Sequence, residues 1–310
     1  MAAIDSARAS LEAGNISLST LLGVANAGLL HDERQVVDEA MRVYIRLHPF
    51  IGEDAAPRDG FEAEVQRVFK PRLAGILVSD DENQRILASR LESFLARTGR
   101  EPELRADFAR AAYAYVGLPI SGEVRTLNSD DFSTALSIGM QEGGERFLDA
   151  MVNTLSEIDD PTFEQAVAYA IGQNNDPELL PVILDLAMSG ELGTRETYSI
   201  VSGQMREPAT RSAAWSWLQA NYPDFVKRIP GQRPRSTPRL AEDLCSRQAI
   251  GELDALFETY GDLAPGYERA LAEARESIEL CIALKDARAE EIRRYFSALA
   301  PSETAPDDSN

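Results

Sequence analysis

Apolar residues recur at intervals of three and four along almost the whole chain, and this spacing constrains the fold more than any other sequence feature. Clear examples span residues 36–47, 61–69 and 86–95. Such intervals place apolar side chains on one face of an α-helix, whereas a half-buried strand needs strict alternation. We find no convincing alternating run. The sequence therefore predicts an all-α protein of roughly fifteen or sixteen helices, each of about 10 to 20 residues.

Prolines and glycines predict where these helices begin and end. Three pairs place a side-chain oxygen before a proline, whose missing N–H costs nothing in a first helical turn: Asp160-Pro161, Asp176-Pro177 and Thr237-Pro238. Glycines predict further breaks at Gly117, Gly143-Gly144, Gly190 and Gly193.

Helix pairs spaced by about 35 to 45 residues match the period of HEAT-like arrays. We therefore predict an α-α superhelix of HEAT/armadillo-like helix pairs, in a single domain over residues 1–300. Residues 267–282 and 292–299 predict two closing helices that join near Asp286. The tail at residues 301–310, PSETAPDDSN, is acidic and polar, which predicts disorder.

One segment lacks the helical spacing. It is IPGQRPRSTPR at residues 229–239, which contains three prolines. We interpret it as a surface connection on an otherwise acidic protein. The alternative is a loop that contacts an anion or a carboxylate.

The charge of the chain disfavours several classes of partner. The sequence has 31 Lys and Arg against 51 Asp and Glu, a formal net charge of −20. A phosphate backbone or an anionic membrane would be repelled over most of such a surface. No apolar run approaches the ~20 residues that cross a bilayer. We expect no nucleic-acid or membrane partner and, because no export signal begins the sequence, a cytoplasmic location.

Cys245 and Cys281 are the only cysteines in the sequence. Both lie in apolar surroundings along the chain, which predicts core packing. Two thiols in a chain of 310 residues also fit a reducing compartment better than a disulfide framework. A single bridge stays open as the alternative.

The sequence offers few groups for catalysis or metal binding. His31 and His48, the only histidines, would lie about 25 Å apart on a continuous helix, too far to share a zinc ion. No HExxH, P-loop, G-x-G-x-x-G or G-x-S-x-G motif occurs. The pairs Asp130-Asp131 and Asp159-Asp160 precede apolar helical runs, where helix capping explains them. We therefore predict no catalytic residue, metal ligand or cofactor in this chain.

Both tryptophans, Trp215 and Trp217, stand in AAWSWLQANYPDF at residues 213–225. Side chains two positions apart on a helix point about 200° away from each other, so the two rings cannot enter one pocket. We predict that one ring packs in the core and the other against a neighbouring helix; the alternative is that one ring belongs to a functional surface.

Three parts of the chain share their order with one known family. They are SARASLEAGNISLSTLLGV; then QNNDPELLPVILDLAMSG with REPATRSAAWSWLQANYPDF; and last LDALFETYGDLAPGYERALAEARESIELCIALKDARAEEIRRYF. They resemble the C-terminal α-helical (ERAP1-C-like) domain of the M1 zinc aminopeptidases. The first part resembles the opening of that domain, and the last part its ending. The middle part resembles a helix that starts with D-P and a following helix with the pattern A-W-x-W/F-L. The resemblance covers roughly residues 3 to 299.

The resemblance implies a noncatalytic domain. In those enzymes the domain folds as a curved bowl over the catalytic domain, encloses the active-site chamber and contacts the distal part of a bound peptide. The zinc is held by HExxH and a downstream glutamate, and G-A-M-E-N selects the free amino terminus. Neither motif occurs here, although GMQEGG at residues 139–144 is close to the second. The implied partners are an M1 catalytic domain, in the same chain or in trans, and a peptide substrate, with zinc only in the parent enzyme.

The resemblance also indicates where a peptide could be bound. Some relatives hold its carboxyl end with basic side chains on the concave wall. In YAIGQNNDPELL, the corresponding place, this chain has Gln173 and Asn174, and Arg206 and Arg211 are the alternatives. These four are the expected substrate-binding residues.

Two functions compete on this sequence. The first is the noncatalytic domain of an M1-type aminopeptidase. The second is a stand-alone HEAT-like protein-interaction module whose concave face holds a helix or tail of another protein. A hydrolase that uses paired carboxylates is a third interpretation. An HExxH-bearing segment upstream in the same reading frame would favour the first.

Overall fold

The computed structural model describes residues 1–52, 54–77, 79, 81–157 and 161–301. Over these residues all regular structure is helical, which confirms the all-α prediction. The arrangement of helix pairs as a superhelix stays a prediction. The α-helices are α1 (Ala2–Glu12), α2 (Leu18–Gly28), α3 (Arg34–Leu47), α4 (Ala55–Ala74), α5 (Glu82–Arg97), α6 (Pro102–Tyr115), α7 (Ser129–Glu157), α8 (Pro161–Ile171), α9 (Leu180–Met188), α10 (Thr194–Arg206), α11 (Arg211–Arg228), α12 (Arg247–Tyr260) and α13 (Glu268–Ser297).

Several predicted helix boundaries are confirmed. Gly117 follows α6, and Gly190 follows α9. Gly144 bends α7 with a φ of 54°, a left-handed conformation that glycine adopts without the clash a Cβ would cause. α8 begins at Pro161 as predicted, while Asp160 lies outside the described residues.

The Asp176-Pro177 pair forms a turn and does not begin a helix. The Asp176 carboxylate accepts a hydrogen bond from the backbone N–H of Glu178 at 2.9 Å. α9 begins only at Leu180. The prediction placed this boundary too early because an aspartate can close a tight turn with its side chain as readily as it caps a helix.

The prediction of an irregular segment at residues 229–239 is partly wrong. Pro234–Ala241 is a 3-10 helix that buries Pro234, Thr237 and Pro238. Thr237 donates its hydroxyl proton to the Pro234 carbonyl oxygen at 2.7 Å, so the Tyr222 hydroxyl donates to Thr237 Oγ1, also at 2.7 Å. The Thr237 side chain therefore ties this helix to α11 and caps no α-helix. Burial raises the pKa of Tyr222 to about 12.

The two predicted closing helices are one helix of 30 residues, α13, and Asp286 lies inside it. Glu268–Ser297 contains neither glycine nor proline, so no residue breaks the backbone hydrogen bonds. The apolar spacing lapses after Ile282 because the following stretch is largely exposed. In the sequence, this loss of buried apolar residues resembles the end of a helix.

The described residues group into two compact units, and the first contains Met1–Arg105 with the segment that begins at Leu284. Helix α1 packs on α2, α2 on α3 and α4 on α5. The first unit buries an aromatic cluster in which the Tyr44 and Phe69 rings lie 5.2 Å apart and the Phe61 and Phe296 rings 5.0 Å apart. Its last helix also closes on its first ones, because Glu291 Oε1 accepts the N–H of Leu18 at 2.8 Å.

The second compact unit is Ala106–Ala283. Helix α7 packs on α8, α8 on α10, and α10 on both α9 and α11. Its buried aromatic residues include Phe147, Tyr222 and Phe225. The earlier prediction of a single domain over residues 1–300 stays a prediction.

The tryptophans share helix α11 but have different surroundings. Trp215 is buried, and its indole Nε1 donates to Glu252 Oε2 on α12 at 2.7 Å. This confirms that one ring packs in the core. Trp217 is half-buried, and the ring contact of Trp217 is with Phe225 of its own helix at 6.4 Å between centroids.

The two cysteines do not pack as free thiols in the core, so that prediction is wrong. Cys245 and Cys281 form a disulfide between residues 36 positions apart. Both residues are half-buried. The alternative of a single bridge, which the sequence left open, is the one found.

Glu101 caps the first turn of α6. Its carboxylate accepts the N–H of Leu104 at 2.8 Å and the Lys70 ammonium at 2.8 Å, and the residue is buried. Burial by itself would raise the pKa of Glu101, but these hydrogen bonds outweigh it and hold the pKa below its usual value.

We expect Glu101→Ala to lower the free energy of unfolding by about 2 kcal/mol at neutral pH, because the substitution removes a cap and a charge-assisted contact. A lowered pKa in the folded state gives stability that is present above the unfolded-state pKa and is lost as pH falls through the folded-state pKa. The difference should therefore shrink in acid. Urea unfolding at neutral and at acidic pH measures the difference in the free energy of unfolding. The charge-matched control is Glu103→Ala, which removes an exposed carboxylate. Equal losses of stability in the two variants would contradict the capping role.

Candidate functional site

Helices α8 and α10 cross in backbone contact at two glycines. A Cβ placed on Gly203 would clash with the Gly172 carbonyl oxygen and would lie 2.6 Å from the Gly172 Cα. A pair of helices can approach this closely only where side chains are absent. Gly203 therefore cannot be replaced without moving a helix.

A cleft of about 390 Å³ opens beside this crossing. Its walls come from α8, α10 and the residue that precedes the 3-10 helix. The lining residues are Gln165, Ala168, Tyr169, Gln173, Arg195, Glu196, Tyr198, Ser199, Ser202, Gly203, Arg206 and Arg233. The volume lies within the range of small-ligand sites, about 300 to 1,000 Å³.

The cleft is basic although the chain is acidic. Three arginines line it against one glutamate, Glu196. Arg195 and Arg206 are exposed. The Arg233 guanidinium carbon lies 5.3 Å from the centroid of the Tyr198 ring, a cation–π arrangement that orients this side chain. Guanidinium, amide and hydroxyl groups together form a donor set that suits a carboxylate or another anion.

Two of the four predicted substrate-binding residues, Gln173 and Arg206, line this cleft. Gln173 follows the end of α8, and Arg206 is the last residue of α10. The structure thus brings together two residues that are 33 positions apart in the sequence. Peptide contact by either residue stays a prediction.

The other two predicted residues are engaged with the backbone. Asn174 is 1% exposed, and its Nδ2 donates to the Asp176 carbonyl oxygen at 2.8 Å. Arg211 donates from Nε to the Met205 carbonyl oxygen at 3.1 Å and from Nη2 to that of Arg206 at 2.6 Å. Burial lowers the pKa of Arg211. Asn174 therefore shapes the turn after α8, and Arg211 holds the end of α10.

Arg195, Tyr198 and Arg233 were missed by the sequence analysis as site residues. A weak signal existed for α10, where lining residues recur at helical intervals from Arg195 to Arg206. Arg233 lies in the segment for which contact with an anion was the alternative interpretation. No sequence signal could have shown that this segment lies beside α10.

The pair Asp130-Asp131 lies outside the cleft. The backbone N–H groups of Asp130 and Asp131 donate to Asn128 Oδ1 at 2.8 and 2.9 Å, so Asn128 caps α7. The Asp131 carboxylate is buried and accepts from Arg125 Nη2 at 3.0 Å. The pair Asp159-Asp160 lies outside the described residues.

A second cavity, of about 450 Å³, lies at the join of α12 and α13. Its charged lining residues are Glu258, Asp262 and Glu268. An anionic ligand that fits the first cleft would be repelled here.

Among the residues that the structure describes, no three His, Cys, Asp or Glu side chains are grouped so that they could hold a metal ion. Among the same residues, no helix combines the length and apolar character that a membrane span requires.

Comparison with known proteins gives a family. A family model described as the ERAP1-like C-terminal domain matches residues 1–280. The protein named "Aminopeptidase 2, mitochondrial" of Saccharomyces cerevisiae is 23% identical over 150 residues. Those residues are 47% of this chain and 15% of the yeast protein, so the match spans a small part of that relative's length.

Proposed function

This chain belongs to the family of ERAP1-like C-terminal domains, and on that premise we propose that it is the noncatalytic domain of an M1-type zinc aminopeptidase. In this role it encloses the active-site chamber and contacts the distal part of the peptide substrate. The family match over residues 1–280 carries the proposal. The yeast aminopeptidase supports it.

The zinc of such an enzyme belongs to its catalytic module, which is the proposed partner in the same chain or in trans. The residues of this chain do not fit a catalytic zinc site, since its two histidines are not arranged as HExxH. We therefore assign no step of bond cleavage to this chain. A cytoplasmic location is part of the same proposal, although the yeast relative is named as mitochondrial.

We assign the peptide contact to the cleft between α8 and α10, which we call the arginine cleft and define by Arg195, Arg206 and Arg233. Three arginines line this cleft, and the Tyr198 ring orients the guanidinium of Arg233. A peptide carboxylate accepts charge-assisted hydrogen bonds from such groups. Gln173 adds an amide donor. Asn174 and Arg211 hold the turn and the helix end that form the walls.

The domain assignment is tested by an aminopeptidase assay on the purified chain alone and on the chain combined with an M1 catalytic module. We expect no zinc-dependent release of amino acids from the chain alone and release from the combination. Release by the chain alone would refute the noncatalytic role. Failure to associate with any M1 catalytic module would instead favour a stand-alone interaction module.

The arginine cleft is tested by the affinity for matched peptides that end in a free carboxylate or in an amide. We expect Arg206→Gln to weaken binding of the free-acid peptide about tenfold, because one charge-assisted contact is lost. Binding of the amide peptide should change little. Fluorescence anisotropy measures both affinities.

The matched control is Arg235→Gln, which removes an exposed arginine that does not line the cleft. It should leave both affinities as in the wild-type chain. Equal weakening by Arg206→Gln and Arg235→Gln would show a general charge effect and contradict a specific site.

A further inference from the structure

The Cys245–Cys281 disulfide ends a short segment whose other end lines the arginine cleft. Arg233 immediately precedes the 3-10 helix Pro234–Ala241, and Cys245 follows this helix before α12 begins. Cys281 lies on α13. The bridge therefore attaches one end of residues 233–245, at Cys245, to α13, while Arg233 lies at the other end.

The segment depends on contacts with its neighbours to hold its position. The hydrogen bonds of a 3-10 helix are poorly aligned, so such helices rarely exceed about four residues. This one has eight residues. The Thr237 side chain joins it to Tyr222, and Arg239 forms an ion pair with Glu273 on α13. The Arg239 pair is half exposed and contributes little. The disulfide is the one covalent contact of the segment among the described residues.

The backbone at Cys245 is strained when the bridge is present. Its φ is 42°, in the left-handed region that residues with a Cβ rarely adopt. Such a conformation persists only where the surroundings enforce it. Reduction removes one of the constraints, and Cys245 can then relax to a negative φ.

We propose that the Cys245–Cys281 bridge is a redox-sensitive tether that sets the affinity of the arginine cleft. A dithiol reductant transfers two electrons and two protons to the bridge; the S–S bond breaks, two thiols form, and the dithiol is oxidised to its own disulfide. Both cysteine residues are half-buried and so partly open to solvent. The released segment no longer holds Arg233 over Tyr198. The ligand part of this proposal rests on the proposed function of the cleft.

The test uses the full chain, oxidised or reduced with dithiothreitol, and the Cys245→Ser/Cys281→Ser double variant. Hydrogen–deuterium exchange reports on residues 229–245, and anisotropy reports the affinity for the free-acid peptide. On reduction we expect faster exchange in this segment and about tenfold weaker binding, the loss of one charged contact. The double variant should behave like the reduced chain and should not respond to dithiothreitol.

The possible outcomes separate this proposal from the function on which it rests. Unchanged exchange and unchanged affinity on reduction would overturn it. A lower melting temperature with unchanged affinity would also overturn it, because the bridge would then act only as a structural staple. Faster exchange on reduction, with no free-acid peptide bound in either state, would support the tether and refute the peptide site.

Discussion

Replacement of Gly203 by alanine is expected to lower the free energy of unfolding by about 3 kcal/mol or more. Added volume in a closely packed contact costs about 1 to 3 kcal/mol, and more where the clash is with the backbone. Here the new methyl group would clash with the Gly172 carbonyl oxygen and would lie 2.6 Å from the Gly172 Cα. Since neither atom can rotate away, α8 and α10 must separate.

The separation should also reach the arginine cleft, since α8 and α10 form its walls. We expect Gly203→Ala to weaken binding of the free-acid peptide, even at temperatures where the variant is fully folded. Urea unfolding followed by circular dichroism gives the stability, and anisotropy gives the affinity.

Gly251→Ala is the matched control for this prediction. Gly251 is also helical and in the second unit, but a Cβ there would find no atom within 4 Å. The alanine should raise stability by about 0.5 to 1 kcal/mol through helix propensity. If Gly203→Ala were as stable as Gly251→Ala, the close crossing of α8 and α10 would be wrong.

Replacement of Gly60 by alanine is expected to have an effect of similar size in the first unit. Gly60 lies buried in α4. A Cβ there would clash with the Phe296 carbonyl oxygen and would lie 2.8 Å from the Phe296 carbonyl carbon and 2.9 Å from the Ala300 nitrogen. The methyl group would push the end of α13 away from α4, at a cost of about 3 kcal/mol or more.

The displaced end of α13 carries Phe296, whose ring packs on Phe61, so this core contact should weaken as well. Hydrogen–deuterium exchange should therefore rise in the last turns of α13 before the remainder of the unit unfolds. The control is Gly23→Ala in α2, where a Cβ would find open space. Equal melting temperatures for the two variants would refute the contact between α4 and α13.

Local signals predicted the helices well. Pro161 begins α8 and Gly144 bends α7, because fixed φ in proline and a missing Cβ in glycine act within a few residues. The same reasoning failed at Thr237, whose hydroxyl bonds to Tyr222 of another helix. It failed again near Asp286, where a change in exposure resembled a helix end.

The candidate site was predicted in part. Gln173 and Arg206 were singled out from the resemblance of the surrounding segments to a known family, and both line the cleft. Arg195 and Arg233 join them only through the packing of α8, α10 and the 3-10 helix. The hydrogen bonds from Asn174 and Arg211 to backbone carbonyl oxygens could not be read from the sequence either.

The sequence by itself determined that this protein is helical and which family it belongs to, because apolar spacing and the order of short packing motifs are properties of neighbouring residues. Only the tertiary structure decided which distant residues meet. Glu291 caps the helix that begins at Leu18, 273 positions away, and Cys281 bonds to Cys245. Such contacts depend on how whole helices pack, and a side chain carries no local sign of a partner that lies far along the chain.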